Sequence, residues 1–484
     1  MTREDPFIGK FILDTLSIGM YNDPLMIFRE YVQNSVDSID DIKMQNFTPK
    51  IEIEIDGFSR KIIIRDNGKG IKQANVESTL LNLGKSLKKK EEHRGFRGIG
   101  RLGGLGYCKQ LRFITKAKGE NKYSVISWNC DKLKQILKNN NDYSNAQTVI
   151  KTITNHSVVE YDGDRNKHYF IVELIDVQSP YDILLDVPRV KLYIAQVCPV
   201  PFDREKFIYA TKIENEIRQK VPLYKVYDIM VNREKIYKLY KDNFKVAGKK
   251  VDYLTDYNSE FIRNGKGPLA YIWIAKTRLL GAIQDKEGIG GLRARSGNIL
   301  VGDNNLLSKY FRENRFNKYL IGELHIIEPG LVLNSRRDDF EDNEYKEEFY
   351  TEFARNIGLP YSRYIRESSE KRRKGSGFNK HSNLVENTND IIKKGYIATL
   401  QKKKMLKELN MIKNSKIKNN MEEISDLIGK LKKSKHFLDK DKQKNKVKDM
   451  KLVKDLCDIV YKNSSAPEEA KKIIIAISKR VLNG

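Results

Sequence analysis

Residues that would point to a secreted or membrane protein are scarce in this sequence. Only 4 of the 484 residues are cysteine, and they lie far apart without a Cys-x-x-Cys pair, which argues against a disulfide scaffold and a structural zinc site. These cysteines are Cys108, Cys130, Cys198 and Cys457. No apolar run approaches the ~18–20 residues that cross a bilayer, and no long apolar core follows a basic start at the N-terminus. We therefore expect a cytoplasmic protein with no secretory signal and no membrane partner.

Acidic side chains are too few to balance the basic ones. The sequence has 90 Lys and Arg against 64 Asp and Glu, a net charge of +26. Residues 371–484 alone hold 30 basic and 13 acidic residues, an excess of +17. Such a concentrated positive field favours a polyanionic partner, with nucleic acid as the first choice. The alternative that stays open is a solvated, lysine-rich helical tail.

The composition and the hydrophobic pattern of the sequence change three times along the chain, which predicts an α+β protein of several domains. Residues 1–180 combine one long helix, strands and a glycine-rich loop, and residues 181–345 form a second mixed α/β stretch. Residues 346–382 contain a helix and a basic linker. Residues 383–484 form a basic, all-helical region, in which six apolar residues with a/d spacing suggest either a short coiled coil or the edge of a bundle. These six are Ile417, Met421, Ile424, Ile428, Leu431 and Leu438.

Strands are predicted by alternating or continuous short apolar runs. Ile51–Ile55 alternates, and a turn at Asp56-Gly57 joins it to a second strand at Lys61–Arg65. The other strand candidates are residues 113–115, 123–128, 169–175, 227–231, 269–274, 297–301 and 322–327.

A long amphipathic helix is predicted from Asp23-Pro24, which form an N-cap and a first helical position, to about Ile42. Leu25, Phe28, Val32, Val36 and Ile39 gather on its apolar side. Glu30, Asn34 and Asp37 gather on the opposite side. This helix alone favours an ordinary amphipathic helix with a solvated polar face over a functional site.

Two glycine-rich segments favour a functional site. Asp66-Asn-Gly-Lys-Gly-Ile71 follows the second strand, and its glycines let the backbone approach a ligand closely. Residues 95–106 hold six glycines in twelve residues, whose backbone N–H groups could form an anion nest suited to polyphosphate. No Gly-x-x-x-x-Gly-Lys-[Ser/Thr] is present, so this segment is not a P-loop.

In this order, the segments resemble the boxes of the GHKL ATPase superfamily, which comprises gyrase, heat-shock chaperones, histidine kinases and MutL. Glu30 to Asp37 resembles the asparagine box, Asp66 to Ile71 the first glycine box, and Gly95 to Gly100 the second. Gly84-Lys-Ser86 is similar to a segment that the MORC and heat-shock branches place before their lid. The resemblance covers about residues 5–180 and implies a Bergerat-type α/β sandwich that binds ATP and Mg²⁺.

The resemblance also implies roles for individual residues. Glu30 would activate the attacking water, Asn34 would coordinate Mg²⁺, and Asp66 would accept a hydrogen bond from the adenine amino group. The positions implied to bind ATP are Asn34, Asp37, Asp66, Gly68, Gly70, Lys85, Ser86, Gly95, Gly98 and Gly100. One departure stands out. Many relatives carry a threonine near the adenine on a late strand, and the matching strand here, Tyr169 to Val177, has none.

The second domain contains a candidate catalytic arginine. Residues 331–340 resemble the heat-shock middle-domain segment whose arginine reaches the γ-phosphate, and this implies a transducer-like domain. Ungapped counting assigns the role to Arg337, with Arg336 as the alternative. The structural alternative is that these two arginines are a surface basic pair at the start of a helix. Arg293 and Arg295 form a second candidate pair that would face the nucleotide or an anionic partner.

Three functions fit these observations. The first is a Mg²⁺-dependent ATPase that acts as an ATP-gated dimeric clamp on nucleic acid, as in the MORC and MutL branches. The second is a protein remodeller of the heat-shock type. The third is a nucleotide-gated module that recruits a separate effector protein, for example in bacterial antiviral defence.

Overall fold

The computed structural model describes residues 7–17, 23–42, 47–83, 100–139, 142, 144–374, 379–395, 399–413 and 421–435. They form two compact units. The first contains the described residues of Met1–Lys241, Lys245–Lys250 and Tyr257–Ile365, and the second those of Asp242–Phe244, Val251–Asp256 and Arg366–Gly484. Within these ranges, no helix is both long and apolar enough to cross a membrane.

The described residues form α-helices and β-strands that alternate irregularly along the chain. The helices are α1 (Phe11–Ser17), α2 (Met26–Asp40), α3 (Val76–Leu80), α4 (Cys130–Lys138), α5 (Ala146–Ile153), α6 (Val187–Val197), α7 (Ala210–Lys220), α8 (Glu344–Phe353), α9 (Leu359–Lys374), α10 (Asn379–Lys394), α11 (Thr399–Lys413) and α12 (Met421–Lys433). The strands are β1 (Ile51–Asp56), β2 (Lys61–Asp66), β3 (Cys108–Lys116), β4 (Lys122–Asn129), β5 (Thr154–Glu160), β6 (Tyr169–Val177), β7 (Ile229–Val231), β8 (Glu234–Lys235), β9 (Asn243–Val246), β10 (Lys250–Arg263), β11 (Pro268–Thr277), β12 (Gly291–Ser296), β13 (Ile299–Leu300) and β14 (Ile321–Ile326).

The first sheet has eight strands in the order β5-β4-β3-β6-β2-β1-β7-β8. Its pairs are antiparallel except for β1 and β7, which run parallel with Ile51 opposite Ile229. The buried isoleucines of β1 and β2 point to one face, and α2 packs there through Phe28, Val32 and Val36. They are Ile51, Ile53, Ile55, Ile62 and Ile64. The mixed α/β architecture predicted from the sequence is confirmed.

The second sheet has six strands in the order β13-β12-β14-β11-β10-β9. β14 pairs antiparallel with β11 and parallel with β12. Its apolar side chains, such as Leu324, share a core with Phe349 and Phe353 of α8. This sheet forms the second mixed α/β region, and Leu331 and Phe340 of its core flank the segment that carries Arg337.

Several strands differ from the sequence-based prediction. The segment around Ile229 joins the first sheet, because it extends the edge of β1 rather than pairing with β11. Strands β5, β10 and β12 escaped prediction because charged and polar side chains interrupt their apolar pattern. In β12, the interruptions are Arg293 and Arg295, which are buried.

The C-terminal helices α10 to α12 surround a small apolar core of their own, so the predicted helical region is confirmed over its described part. This core contains Leu384, Ile391, Met405, Leu409, Ile424, Ile428 and Leu431. The amino group of Lys402 caps α12 by donating to the carbonyls of Lys432 and Ser434, both at 2.8 Å. Helix α9 continues to Lys374, into the segment predicted as a linker. Ile417 and Leu438 of the predicted apolar seam lie outside the described residues.

Candidate functional site

Helix α2 is buried on its polar side as well as on its apolar side. Glu30 is 2% exposed and Asp37 is 1% exposed, while Asn34 is half-buried. The helix begins at Met26 rather than at Pro24, because the side chain of Asp23 accepts a hydrogen bond from the Leu25 N–H at 3.0 Å and forms a preceding turn. The interpretation of this face as an ordinary solvated surface is therefore wrong. Burying two carboxylates is costly unless they have partners.

Two arginines surround the carboxylate of Glu30. Nη2 of Arg337 lies 3.0 Å from Oε2 of Glu30, and Nε of Arg29 lies 3.6 Å from Oε1. Oε1 has no hydrogen-bond partner among the residues that the structure describes. One oxygen is thus held by a guanidinium, and the other is near a positive charge but still able to accept a hydrogen bond. This geometry suits an acceptor of a proton from water.

A tight hairpin carries Arg337 to this site. Leu333 pairs with Phe340 across it, and Asn334 accepts the Arg337 N–H at 3.1 Å. Arg337 has a φ of 58°, a left-handed conformation that costs a non-glycine residue roughly 1–2 kcal/mol. Nη2 of Arg29 donates to the carbonyl of Arg336 at 3.1 Å, whereas the Arg336 side chain is exposed. The structure brings Arg337, and not the guanidinium of Arg336, to Glu30.

The end of the second glycine-rich segment packs against α2. Residues Gly100–Gly106 form a 3₁₀ helix. A Cβ added to Gly100 would lie 2.3 Å from Oε2 of Glu30, so only glycine allows this close approach. The Tyr31 hydroxyl donates to the carbonyl of Arg101 at 3.1 Å and accepts the Gly104 N–H at 3.0 Å. These contacts fix the segment directly beside the carboxylate.

Arg101, directly after the second glycine box, contacts the backbone at the end of α3. Its guanidinium donates to the carbonyls of Leu80 and Asn82. Burial lowers the pKa of Arg101 to about 10, which leaves it charged at neutral pH. Four predicted ATP-binding residues lie outside the described residues. They are Lys85, Ser86, Gly95 and Gly98.

The first glycine box forms a turn that packs against the C-terminal half of α2. Oδ1 of Asp66 accepts the Gly68 N–H at 2.8 Å, and the Lys69 N–H donates to the carbonyl of Ser38 at 3.2 Å. Gly70 has a φ of 65°, and an added Cβ would lie 2.0 Å from the carbonyl oxygen of Lys116. Ser38 lies about one helical turn after Asn34. The turn and the Gly100 segment thus both meet α2, the helix that carries the asparagine box.

The second candidate pair of arginines is placed elsewhere. Arg293 donates to backbone carbonyls of residues 288, 289 and 291. Arg295 donates from Nε to Glu323, whose carboxylate also accepts from Lys238 at 2.7 Å. His325 lies 3.3 Å from the same carboxylate, and all four side chains of this group are buried. These arginines stabilise the second domain internally and do not face the candidate site.

Some residues of the site were not expected from the sequence. Arg29 reads as an ordinary polar position of α2, and Thr115 reads as an ordinary strand residue. The Thr115 hydroxyl accepts the Ile71 N–H at 2.9 Å and donates to the Tyr169 carbonyl at 3.2 Å. The position of Arg29 directly before Glu30 was the only sequence signal for either residue.

Comparison with known proteins agrees with this arrangement. The family described as "Histidine kinase-, DNA gyrase B-, and HSP90-like ATPase" matches residues 26–159. This range contains α2, the first glycine box with the strands around it, and the Gly100 segment. The resemblance to the GHKL superfamily that the sequence motifs suggest is confirmed for this domain.

The chain is also similar to individual proteins. It is 27% identical over 135 residues to the chaperone protein HtpG of Mycolicibacterium vanbaalenii, covering 23% of this chain and 21% of the relative. It is 25% identical over 198 residues to HtpG of Rickettsia typhi, covering 35% of this chain and 31% of the relative. The chain therefore matches about a fifth to a third of the length of these relatives.

The chain also aligns with two solved structures. The ATPase and transducer domains of DNA topoisomerase II from Balamuthia mandrillaris match with a TM-score of 0.41 and 13% identity, covering 72% of this chain and 86% of that chain. The ATPase region of Saccharomyces cerevisiae topoisomerase II matches with a TM-score of 0.36 and 13% identity, covering 71% and 85%.

Proposed function

Residues 26–159 belong to the GHKL ATPase superfamily, and from that premise we propose that the chain hydrolyses ATP in a Mg²⁺-dependent reaction. The observation that carries the proposal is the pairing of Glu30 with Arg337 at 3.0 Å. A buried carboxylate beside a strained arginine from another domain is costly for folding, and such costs are typical of functional sites.

Each of the two residues has a chemical task in this proposal. Glu30 orients the attacking water and accepts its proton at Oε1, the oxygen without a hydrogen bond among the described residues. Arg337 stabilises the negative charge that develops on the transferring phosphoryl group. Arg29 holds the hairpin in place through the Arg336 carbonyl. ATP hydrolysis therefore depends on the first and second domains meeting at α2.

The residues present fit a Mg²⁺–nucleotide complex. Carboxylate and amide oxygens are ligands that Mg²⁺ prefers, and Asn34 supplies an amide oxygen one helical turn after Glu30. Glycine at position 100 leaves room beside the carboxylate. The ion, when bound, neutralises charge on the phosphate oxygens. Asp66, with Gly68 and Gly70 beside it, accepts a hydrogen bond from the adenine amino group.

We further propose that ATP joins two copies of the chain into a clamp. Three apolar side chains near the N-terminus are largely exposed, namely Phe7 (67%), Ile8 (62%) and Phe11 (58%). A second copy that covers them would bury this apolar surface. Light scattering with a non-hydrolysable ATP analogue should show a doubled mass for the wild type and a reduced dimer fraction for Phe11→Asp. Phe58→Asp is the matched control, because Phe58 is fully exposed at a hairpin tip far along the chain.

The proposed domain organisation assigns ATP binding to residues 1–180, the transducer to 181–345, the connecting helix and linker to 346–382, and a nucleic-acid contact to 383–484. Lys403, Lys404 and Lys407 support the last assignment, because all three are exposed on α11. Lysines that contact phosphates release counterions, so the affinity for DNA should fall steeply with salt.

A charge-matched comparison tests this contact. Replacing Lys403, Lys404 and Lys407 by glutamine should weaken binding to duplex DNA and reduce the slope of log affinity against log salt by up to about 3. The control carries the same three changes at exposed lysines of the first unit, which are Lys72, Lys151 and Lys286. Equal affinities for the two triple variants in a fluorescence-anisotropy titration would reject the assignment to α11.

The similarity to HtpG favours a second candidate function, a cytoplasmic protein remodeller. One experiment separates it from the clamp on nucleic acid. The ATPase rate of the full chain is measured alone and with duplex DNA, with RNA and with an unfolded protein, each with Mg²⁺ and with EDTA. Stimulation by nucleic acid supports the clamp, and stimulation by unfolded protein supports the remodeller. Hydrolysis that is unaffected by all three leaves recruitment of an effector protein as the favoured function, and no Mg²⁺-dependent hydrolysis would reject the enzyme.

A further inference from the structure

In the turn formed by the first glycine box, both the N–H and the carbonyl of Gly68 form hydrogen bonds. The Gly68 N–H donates to Oδ1 of Asp66 at 2.8 Å. The Gly68 carbonyl lies 2.7 Å from Nδ1 of His168. A carbonyl oxygen only accepts hydrogen bonds, so Nδ1 of His168 must carry the proton and donate it. The residue that orients Asp66 through its N–H is therefore also held, through its carbonyl in the next peptide unit, by a histidine 100 residues further along the chain.

The loop that presents His168 is itself anchored. The buried amino group of Lys116 donates to the carbonyls of Arg165 at 2.9 Å and Lys167 at 2.7 Å. The same amino group lies 4.9 Å from the centre of the Tyr161 ring. The carbonyl of Lys116 abuts Gly70, where an added Cβ would lie at 2.0 Å. One residue of β3 thus packs against the turn and also fixes the loop that carries the histidine.

We propose that His168 is a positioning residue that sets the selectivity of the site for the adenine base. The inference rests on the proposed function, because it assumes that Asp66 accepts a hydrogen bond from the adenine amino group. Gly68 links the two hydrogen bonds through its φ and ψ angles. Releasing its carbonyl therefore loosens the residue whose N–H, in the preceding peptide unit, holds Oδ1 of Asp66. The carboxylate then rotates away from the direction that distinguishes an exocyclic amino group from an exocyclic carbonyl. ATP binding weakens, and the preference for ATP over GTP shrinks.

Two substitutions separate this role from a general structural one. In asparagine the amide nitrogen occupies the position of Nδ1, so His168→Asn keeps the donor to Gly68. In glutamine the amide nitrogen lies one carbon further out, so His168→Gln loses it. We expect His168→Gln to weaken ATP binding roughly five- to tenfold, the effect of losing one partly buried hydrogen bond. We expect His168→Asn to bind ATP within about twofold of the wild type.

The measurement is isothermal titration of the full chain with ATP and, separately, with GTP. His156→Gln is the matched control, since Nδ1 of His156 also has one acceptor, Oε1 of Glu77 at 2.8 Å, but lies away from the turn. The control should bind both nucleotides like the wild type. The control should also hydrolyse ATP like the wild type, whereas His168→Gln should raise the KM for ATP, because His168 acts on base binding and not on the phosphates.

The outcomes distinguish the inference from the function on which it rests. If the wild type binds ATP and His168→Gln binds ATP and GTP with unchanged affinities, the role of His168 is wrong and the proposed function survives. Equal losses in His168→Asn and His168→Gln would also overturn it, because then the ring matters and not the donor. Failure of the wild type itself to bind ATP would reject the proposed function and the inference together.

Discussion

Replacing Arg337 by alanine should slow ATP hydrolysis without weakening ATP binding. The Arg337 guanidinium is 3.0 Å from the Glu30 carboxylate, and the two side chains are 16% and 3% exposed. Arg337 also sits in a left-handed backbone conformation, which the hairpin maintains through Asn334 and through the Gly302 N–H that donates to the Arg337 carbonyl at 2.9 Å. Such an arrangement fixes the position of the charge before nucleotide binds.

The structure gives the expected size of the effect. Hydrogen bonds to charged groups contribute about 1.5–3 kcal/mol when they are largely shielded from water. Taking this as the transition-state stabilisation that Arg337 supplies, its loss lowers the rate about 10- to 100-fold. Arg337→Gly should lose the same activity and yet be more stable than Arg337→Ala by about 1 kcal/mol, because glycine adopts a φ of 58° without strain.

Steady-state hydrolysis and equilibrium ATP binding of three variants provide the assay. Arg336→Ala is the matched control, since its exposed side chain is removed but the carbonyl that Arg29 binds is kept. We expect wild-type rates for Arg336→Ala and equal, slow rates for Arg337→Ala and Arg337→Gly. A wild-type rate of hydrolysis in Arg337→Ala would contradict a catalytic role for Arg337. A loss of hydrolysis confined to Arg336→Ala would assign the catalytic role to Arg336.

Three further predictions concern packing and buried charge. Gly100→Ala places a Cβ 2.3 Å from the Glu30 carboxylate, so hydrolysis should fall at least tenfold, whereas Gly57→Ala, where nothing lies within 4 Å, should be active. Glu323→Gln leaves two buried basic side chains without their carboxylate and should lower the free energy of unfolding in urea by about 3–5 kcal/mol. Burial lowers the pKa of His325 from 6.5 to about 4, so the histidine takes up its proton in the unfolded chain first as the pH falls. The free energy of unfolding should therefore drop between pH 6.5 and 4 by up to about 3 kcal/mol. His325→Asn should reduce this dependence of stability on pH.

The sequence predicted those parts of the site whose signal is local. The glycine turn after β2 and the polar face of α2 follow from short motifs, because the strand end and the helix period fix where their side chains go. Burial of that face could not be predicted, since Glu30 and Asp37 have the polarity of solvated residues. It depends on segments that are distant in sequence, such as the Gly100 segment and the hairpin of Arg337.

The arginines also show that contacts between residues distant in sequence could not be predicted. Arg295 was predicted to face the nucleotide or an anionic partner, because its actual partner, Glu323, lies 28 residues later on a different strand. The choice between Arg336 and Arg337 likewise depends on one left-handed residue in a hairpin. His168 precedes its strand without any local motif, and only the folded chain brings it to Gly68.

The most direct test of the account compares ATP binding with ATP hydrolysis in Glu30→Gln. This change keeps the volume of the side chain and a hydrogen-bond acceptor for Arg337, but it removes the proton acceptor. Single-turnover hydrolysis of bound ATP should be at least about 100-fold slower than in the wild type, since general-base catalysis contributes roughly 10²- to 10⁴-fold. The affinity for ATP should stay within about threefold. Hydrolysis at the wild-type rate by Glu30→Gln would contradict the central claim that this carboxylate activates the attacking water.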